Sequence, residues 1–224
     1  MAYPPTPWTL QGYALLTSQL IDVERVRPLI PSELDIISVL PGKTLGGVYL
    51  SYYGSGSVLE YSELIVNAAL VRCSGKIGGW ISHIYVDNAD SVAGGREIWG
   101  LPKELAEFSW EQGQHSRLSV RQGERQLCTL SYEQPAWGWR QGFSVPSFSM
   151  LKRDLLLFRG EVSARIGLIS AKLDVPQESP FATLGFGQPW LAVNCDALNM
   201  VASAPQVVDK CNGFQRPTNA GKIG

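Results

Sequence analysis

The chain reads as a succession of short runs rich in apolar and β-branched residues, punctuated by Gly, Pro, Asn, Asp and Ser. In Arg117-Leu118-Ser119-Val120-Arg121 polar and apolar residues alternate, the period-two pattern that sets one face of a strand on a core and the other toward water. The same reading predicts strands over 13–20, 45–53, 64–73, 79–86, 117–122, 127–133, 162–172 and 190–193. Helical signals are few. Asp22 is placed to cap a short helix over 23–30 that Pro31 ends. Asp87 or Asp90 is placed to cap a second helix, which runs through 91–99 despite Gly94 and Gly95 and stops at Gly100 before Pro102. Many closely spaced strands with two or three small helices give an α+β class, mainly antiparallel β, as a sheet or barrel.

Composition narrows this picture. The 224 residues contain neither a linker nor a repeat, so one domain over 1–224 is expected. Hydrophobic residues make up 45% and charged residues 17%, against about 25% charged in an average soluble domain. That shortage of charge points to additional buried surface, in a pocket or in the interface of a homo-oligomer. With 19 basic and 20 acidic residues and no run of either sign, no basic face is available for nucleic acid. No stretch approaches the ~20 apolar residues of a transmembrane segment, and the first residues, Met1-Ala2-Tyr3-Pro4-Pro5, do not read as a signal peptide. Cys73, Cys128, Cys195 and Cys211 lie far apart and only two histidines are present, so no metal site is expected. The cysteines read as free thiols acting as small apolar fillers in a cytoplasmic protein. His83 reads as a satisfied core residue, and Trp80, Trp99, Trp137, Trp139 and Trp190 as core first and pocket lining second.

One residue carries candidate chemistry. Lys103 follows the predicted helix stop in Gly100-Leu101-Pro102-Lys103 and is flanked by Trp99, Leu101, Leu105, Phe108 and Trp110. An amine in an apolar wall is disfavoured in its charged form, which leaves more of it as a free nucleophile near neutral pH. A Schiff-base lysine needs such a setting.

The segment Gly94-Gly95-Arg96-Glu97-Ile98-Trp99-Gly100-Leu101-Pro102-Lys103 resembles the signature of the acetoacetate decarboxylase family. Tyr61-Ser62-Glu63 is similar to the family's Y-x-E, and Tyr85-Val86-Asp87-Asn88 to the strand leading into its G-R-E helix. Pro5-Thr6-Pro7-Trp8 and Thr44-Leu45-Gly46-Gly47 are similar to the branch that contains plant proteins of neoxanthin formation, although Lys103 is retained here. The resemblance implies a β-barrel or β-cone and a cofactor-independent lyase. Lys103 and Glu63 would be its catalytic residues, with Arg96, Tyr61, Trp99 and Leu101 as substrate-binding candidates and Arg96 also suited to a scaffold role. Glu104 stands where the decarboxylases have a second lysine, Leu10-Gln11-Gly12-Tyr13 lacks their early arginine, and their second acid falls near Val48 or Tyr49. These departures imply an apolar pocket for a β-keto acid or other apolar carbonyl compound. The competing expectation is a non-catalytic binding protein for a lipophilic ligand such as a carotenoid. Glu104 is expected to point away from the amine, because consecutive residues of an extended segment face opposite sides.

Overall fold

The computed structural model describes residues 3–111, 113, 116–134 and 137–211. Residues 1–2 and 212–224, which belong to the expected 1–224 domain, lie outside the described residues. In chain order the strands are β1 (Trp8–Asp22), β2 (Asp35–Ile36), β3 (Lys43–Tyr53), β4 (Tyr61–Cys73), β5 (Lys76–Val86), β6 (Lys103–Leu105) and β7 (Glu107–Glu111). They continue with β8 (Ser116–Gln122), β9 (Arg125–Tyr132), β10 (Trp139–Leu151), β11 (Asp154–Leu168), β12 (Ala171–Asp174), β13 (Leu191–Ala202) and β14 (Gln206–Lys210). Two helices join them, α1 (Val23–Val26) and α2 (Ala89–Trp99).

Seven strands close on themselves in the order β4-β3-β1-β13-β11-β10-β5, with β5 pairing back onto β4. All these pairings are antiparallel except β10–β5, a parallel contact at Ser147↔Gly79 and Phe148↔Trp80. A second sheet, β12-β9-β8-β7, packs over the outside of the barrel. Leu64 and Val66 of β4 share one core with Leu118, Val120 and Leu130 of that sheet. Between them, Glu63, Ile65 and Asn67 of β4 face the barrel interior. Burial on both faces explains why Leu64-Ile65-Val66-Asn67-Ala68-Ala69-Leu70-Val71 is nearly continuously apolar. The register of β4 on β5 slips on either side of Asn67, so that past Ala68 it is Leu70 that lines the interior. Such bulges re-aim the side chains that follow them.

The mainly antiparallel α+β architecture is the expected one, and its departures from the expected elements have local causes. The helix predicted over 23–30 is one turn, α1, followed by a 3-10 turn at Arg27–Leu29. Pro28 has no N–H with which to extend the helical ladder, although Arg27 before it keeps right-handed helical dihedrals. Asp22 does not cap α1; its carboxylate holds Lys43 Nζ at 2.7 Å. The helix predicted over 91–99 begins at Ala89, and its cap is Asn88, whose side chain accepts from Asp90 N and Ser91 N. Asp87 instead accepts from Ser62 N. The strand predicted over 162–172 is divided: β11 ends at Leu168 and the chain crosses to the outer sheet as β12. Trp80 and Trp99 are buried, whereas Trp137 and Trp190 are 70% and 75% exposed, because both lie where the chain runs over the surface between strands.

Candidate active site

Glu63 is the third residue of β4, and Lys103 opens β6, which lies parallel to the end of β5 with Lys103 beside Ile84. Helix α2 forms the link between them. Asn88 satisfies two of its free N–H groups at the start, and Gly100, at φ 61°, reverses the chain at its end. A Cβ on Gly100 would lie 2.4 Å from the Met150 carbonyl oxygen, so glycine is required there for space as well as for conformation. The glycines inside α2 also have a purpose. A Cβ on Gly94 would lie 2.6 Å from the Trp8 ring, and one on Gly95 2.5 Å from Lys103 Cδ. The helix is pared down so that the Lys103 side chain can pass across its face.

The Lys103 ammonium meets Glu63 Oε1 at 2.7 Å and donates to Ser91 Oγ at 2.9 Å. It lies 4.9 Å from the Tyr61 ring centroid and 5.7 Å from that of Trp8. Both members of the pair are 3% exposed. A buried ion pair persists only when its remaining valences are filled, and here they are. Tyr53 OH donates to Glu63 Oε2 at 3.4 Å, and Tyr49 OH lies 3.1 Å from Tyr53 OH. Burial pushes the phenols of Tyr49, Tyr53 and Tyr61 above the usual tyrosine range, with the Glu63 carboxylate adding to the effect. They therefore serve as neutral hydroxyls. The surroundings of Lys103 differ from the expected bare apolar wall. Of the flanking residues only Trp99 and Leu101 share its cavity, while Trp110 turns to donate to Ser62 Oγ.

Lys103 and Glu63 line a cavity of about 380 Å³ inside the barrel, near the lower end of the ~300–1,000 Å³ usual for small-molecule sites. Trp8, Leu10, Ile65, Ile81 and Phe158 supply part of its apolar wall, and Lys103 and Glu63 are the only charged side chains that line it among the described residues. Ile77, Phe143 and Val145 line it and are also 38–44% exposed, which marks the side on which it opens.

A family model described as Acetoacetate decarboxylase (ADC) matches residues 1–150. The chain belongs to that family. It is 32% identical over 109 residues to Protein NEOXANTHIN-DEFICIENT 1 of Solanum lycopersicum, a match covering 49% of this chain and 37% of that protein. It is 30% identical over 115 residues to Acetoacetate decarboxylase 1 of Bradyrhizobium diazoefficiens, covering 47% of this chain and 40% of the relative. Among solved structures, acetoacetate decarboxylase from Legionella pneumophila superposes with a TM-score of 0.75 at 14% identity, covering 94% of this chain and 90% of that one. The enduracididine biosynthesis enzyme MppR superposes with a TM-score of 0.71 at 15% identity, covering 93% and 90%. The two structural likenesses establish a shared fold.

In this acetoacetate decarboxylase family member the six residues singled out from sequence do not all meet. Lys103, Glu63, Tyr61, Trp99 and Leu101 line one cavity. Arg96 is exposed and outside it; its Nε donates to the Lys103 carbonyl oxygen at 2.7 Å, which ties α2 to β6. Its guanidinium thus serves the backbone that carries the lysine, which is the scaffold role read for it from sequence and not the substrate contact also considered. Glu104 accepts from Gln122 Nε2 at 2.9 Å, on the face of β6 opposite the amine. Sequence reasoning missed Ser91, Trp8 and the Tyr49–Tyr53 pair. Nothing in the local pattern marks Ser91, whereas Tyr49 and Tyr53 share one strand face four residues apart.

Proposed function

We propose that this chain is a Schiff-base-forming lyase of the decarboxylase type that acts on a β-keto acid or a related apolar carbonyl compound through Lys103. The observation that carries the reading is the buried Lys103–Glu63 contact of 2.7 Å on the wall of an otherwise apolar cavity. Lys103 Nζ passes one proton to Glu63 and attacks the substrate ketone as the free amine; a second proton then moves from the nitrogen to the new alkoxide, leaving a neutral carbinolamine. Glu63 returns that proton to the departing hydroxyl, and water leaves an iminium. The bond to the β-carboxylate then breaks, its electron pair moves toward the iminium nitrogen, and CO2 departs from a neutral enamine. Protonation of the enamine carbon and addition of water regenerate the amine and release the ketone. The apolar wall favours the charge-losing step, because a desolvated carboxylate is poorly stabilised while CO2 is not penalised. Tyr53 holds Glu63 from its far oxygen and would keep it aimed at the amine.

A carrier reading retains one specific support: the two charges of the cavity neutralise each other and no arginine among the described residues lines it to attract an anion. The compact volume favours a short ligand over a long carotenoid. Borohydride reduction in the presence of acetoacetate, longer β-keto acids and methyl ketones decides between the two. The enzyme reading expects a reduced mass adduct on Lys103 and CO2 release. Lys103→Arg, which keeps a cation beside Glu63 but forms no such imine, is expected to lose both. Ligand binding with neither adduct nor CO2 across the panel would leave the carrier.

A further inference from the structure

The inward positions of β4 run from Glu63 through Ile65 to Asn67. Asn67 interrupts the apolar run of this strand, and its amide lies against the backbone of Gly79 on β5. A Cβ at Gly79 would come within 2.6 Å of Asn67 Oδ1 and 3.0 Å of Cγ and Nδ2. Glycine at 79 is therefore what leaves room for the amide. Asn67 Oδ1 is buried and has no hydrogen-bond partner among the described residues. An orphaned amide oxygen is unfavourable in an apolar setting, and leucine would fill the position without that penalty. Ser147 of β10, paired with Gly79 from the other side, is a second polar residue in the same wall. Four residues along a strand at ~3.3 Å each put this polar spot about 13 Å from Glu63. It lies toward the exposed rim formed by Ile77, Phe143 and Val145.

We infer that Asn67 is a specificity-determining residue, selecting a keto compound whose chain carries a hydroxyl or second carbonyl oxygen at the end remote from the reacting carbon. The inference rests on the Lys103 reading for the inner end of the site and on Asn67 alone for the outer end. An amide both donates and accepts, so by rotation about its last bond it can donate to a carbonyl or accept from a hydroxyl. Ile65 lies between the two polar spots on the same strand face and requires the connecting chain to be apolar there. The substrate class is thus an elongated molecule, polar at both ends and apolar in the middle.

The test uses straight-chain methyl ketones of graded length, each with and without a terminal hydroxyl. Affinity is measured by calorimetry in the wild type and in Asn67→Leu. The same pair is made in a Lys103→Met/Glu63→Gln background, which forms no imine and leaves no unpaired charge. At the matching length the hydroxylated ketone is expected to bind about tenfold or more tightly in wild type, as sites built to bind a hydroxyl discriminate. Asn67→Leu is expected to erase that preference in both backgrounds while thermal unfolding shows the fold retained. Equal binding of the two ketones by the wild type, or a preference that survives Asn67→Leu, overturns the inference. A preference that is intact while borohydride traps nothing on Lys103 supports Asn67 and removes the lyase reading instead.

Discussion

Gly95→Ala tests whether the space beside Lys103 is there for its chemistry. The added methyl carbon would sit 2.5 Å from Lys103 Cδ, 2.8 Å from Cε and 3.1 Å from Cγ. Carbon atoms pack at roughly 3.5–4.0 Å, so the side chain must retreat by about 1 Å. Its Nζ is fixed by contacts of 2.7 Å to Glu63 and 2.9 Å to Ser91, and a retreat of that size carries both beyond the ~3.2 Å limit of a good N–H···O bond. Misplacement of a reacting group by about 1 Å lowers rate by about 10². Backbone stability moves the other way, because alanine is favoured over glycine in a helix interior by roughly 0.5–1 kcal/mol. The expected result is a borohydride-trapping rate on Lys103 about a hundredfold lower, with a loss of stability smaller than that of Lys103→Met, because both charges remain and the helix gain offsets part of the strain. Gly94→Ala is the control. Its methyl would meet the Trp8 ring at 2.6 Å, a rigid group held edge-on to Trp99 at 4.9 Å, and overpacking there costs about 1–3 kcal/mol. Unimpaired trapping in Gly95→Ala would refute the claim that this glycine exists to make room for the lysine.

Removing one member of the buried pair leaves the other charge unmatched, so Lys103→Met and Glu63→Gln are each expected to cost about 3–5 kcal/mol while the double variant is near neutral. Urea unfolding of all three checks this, and single variants no worse than the double would argue against an ionised pair. Glu104→Gln is expected to leave trapping on Lys103 unchanged, since Glu104 is engaged by Gln122 on the other face of β6; a large change in its pH profile would contradict that placement. Asn88→Ala is expected to cost about 1 kcal/mol through loss of the α2 cap, whereas Asp90→Ala costs much less; equal effects would put the cap elsewhere. Burial raises the Cys195 thiol from 9.0 to about 11. Its contribution to stability is therefore full below pH 9 and lost as the pH rises toward 11, where the unfolded thiol ionises first. The alkaline decline in unfolding midpoint is expected to be shallower in Cys195→Ala, and an identical slope would count against a buried thiol there.

The inner half of the site was legible because its signals are short-range. A helix stop, a proline and a lysine lie within four residues at 100–103, and the Y-x-E of 61–63 sits on a strand whose apolar run is visible in the sequence. The scaffold role of Arg96 was legible but its partner was not, since the bond to the Lys103 carbonyl depends on how α2 folds back. Strand β10 escaped for a different reason. Gly142, Ser144, Pro146, Ser147 and Ser149 give it the composition of a loop. Pro146 is tolerated because pairing to β5 begins only at the next residue, so no ladder bond is asked of its nitrogen. The short strand β6, before Ala106, carries too few residues for a period to show.

The junction of β10 and β5 has a mechanical consequence. It spans two residue pairs, Ser147↔Gly79 and Phe148↔Trp80, whereas β4 and β5 are in register along most of their length. A cylinder stitched this unevenly has a seam. When the barrel breathes, amide protons along the seam should exchange with solvent well before those of β3 and β4. The seam lies beside Gly79 and the exposed rim, at the end remote from Lys103. Widening it would admit a molecule lengthwise while the ion pair at the closed end stayed dry.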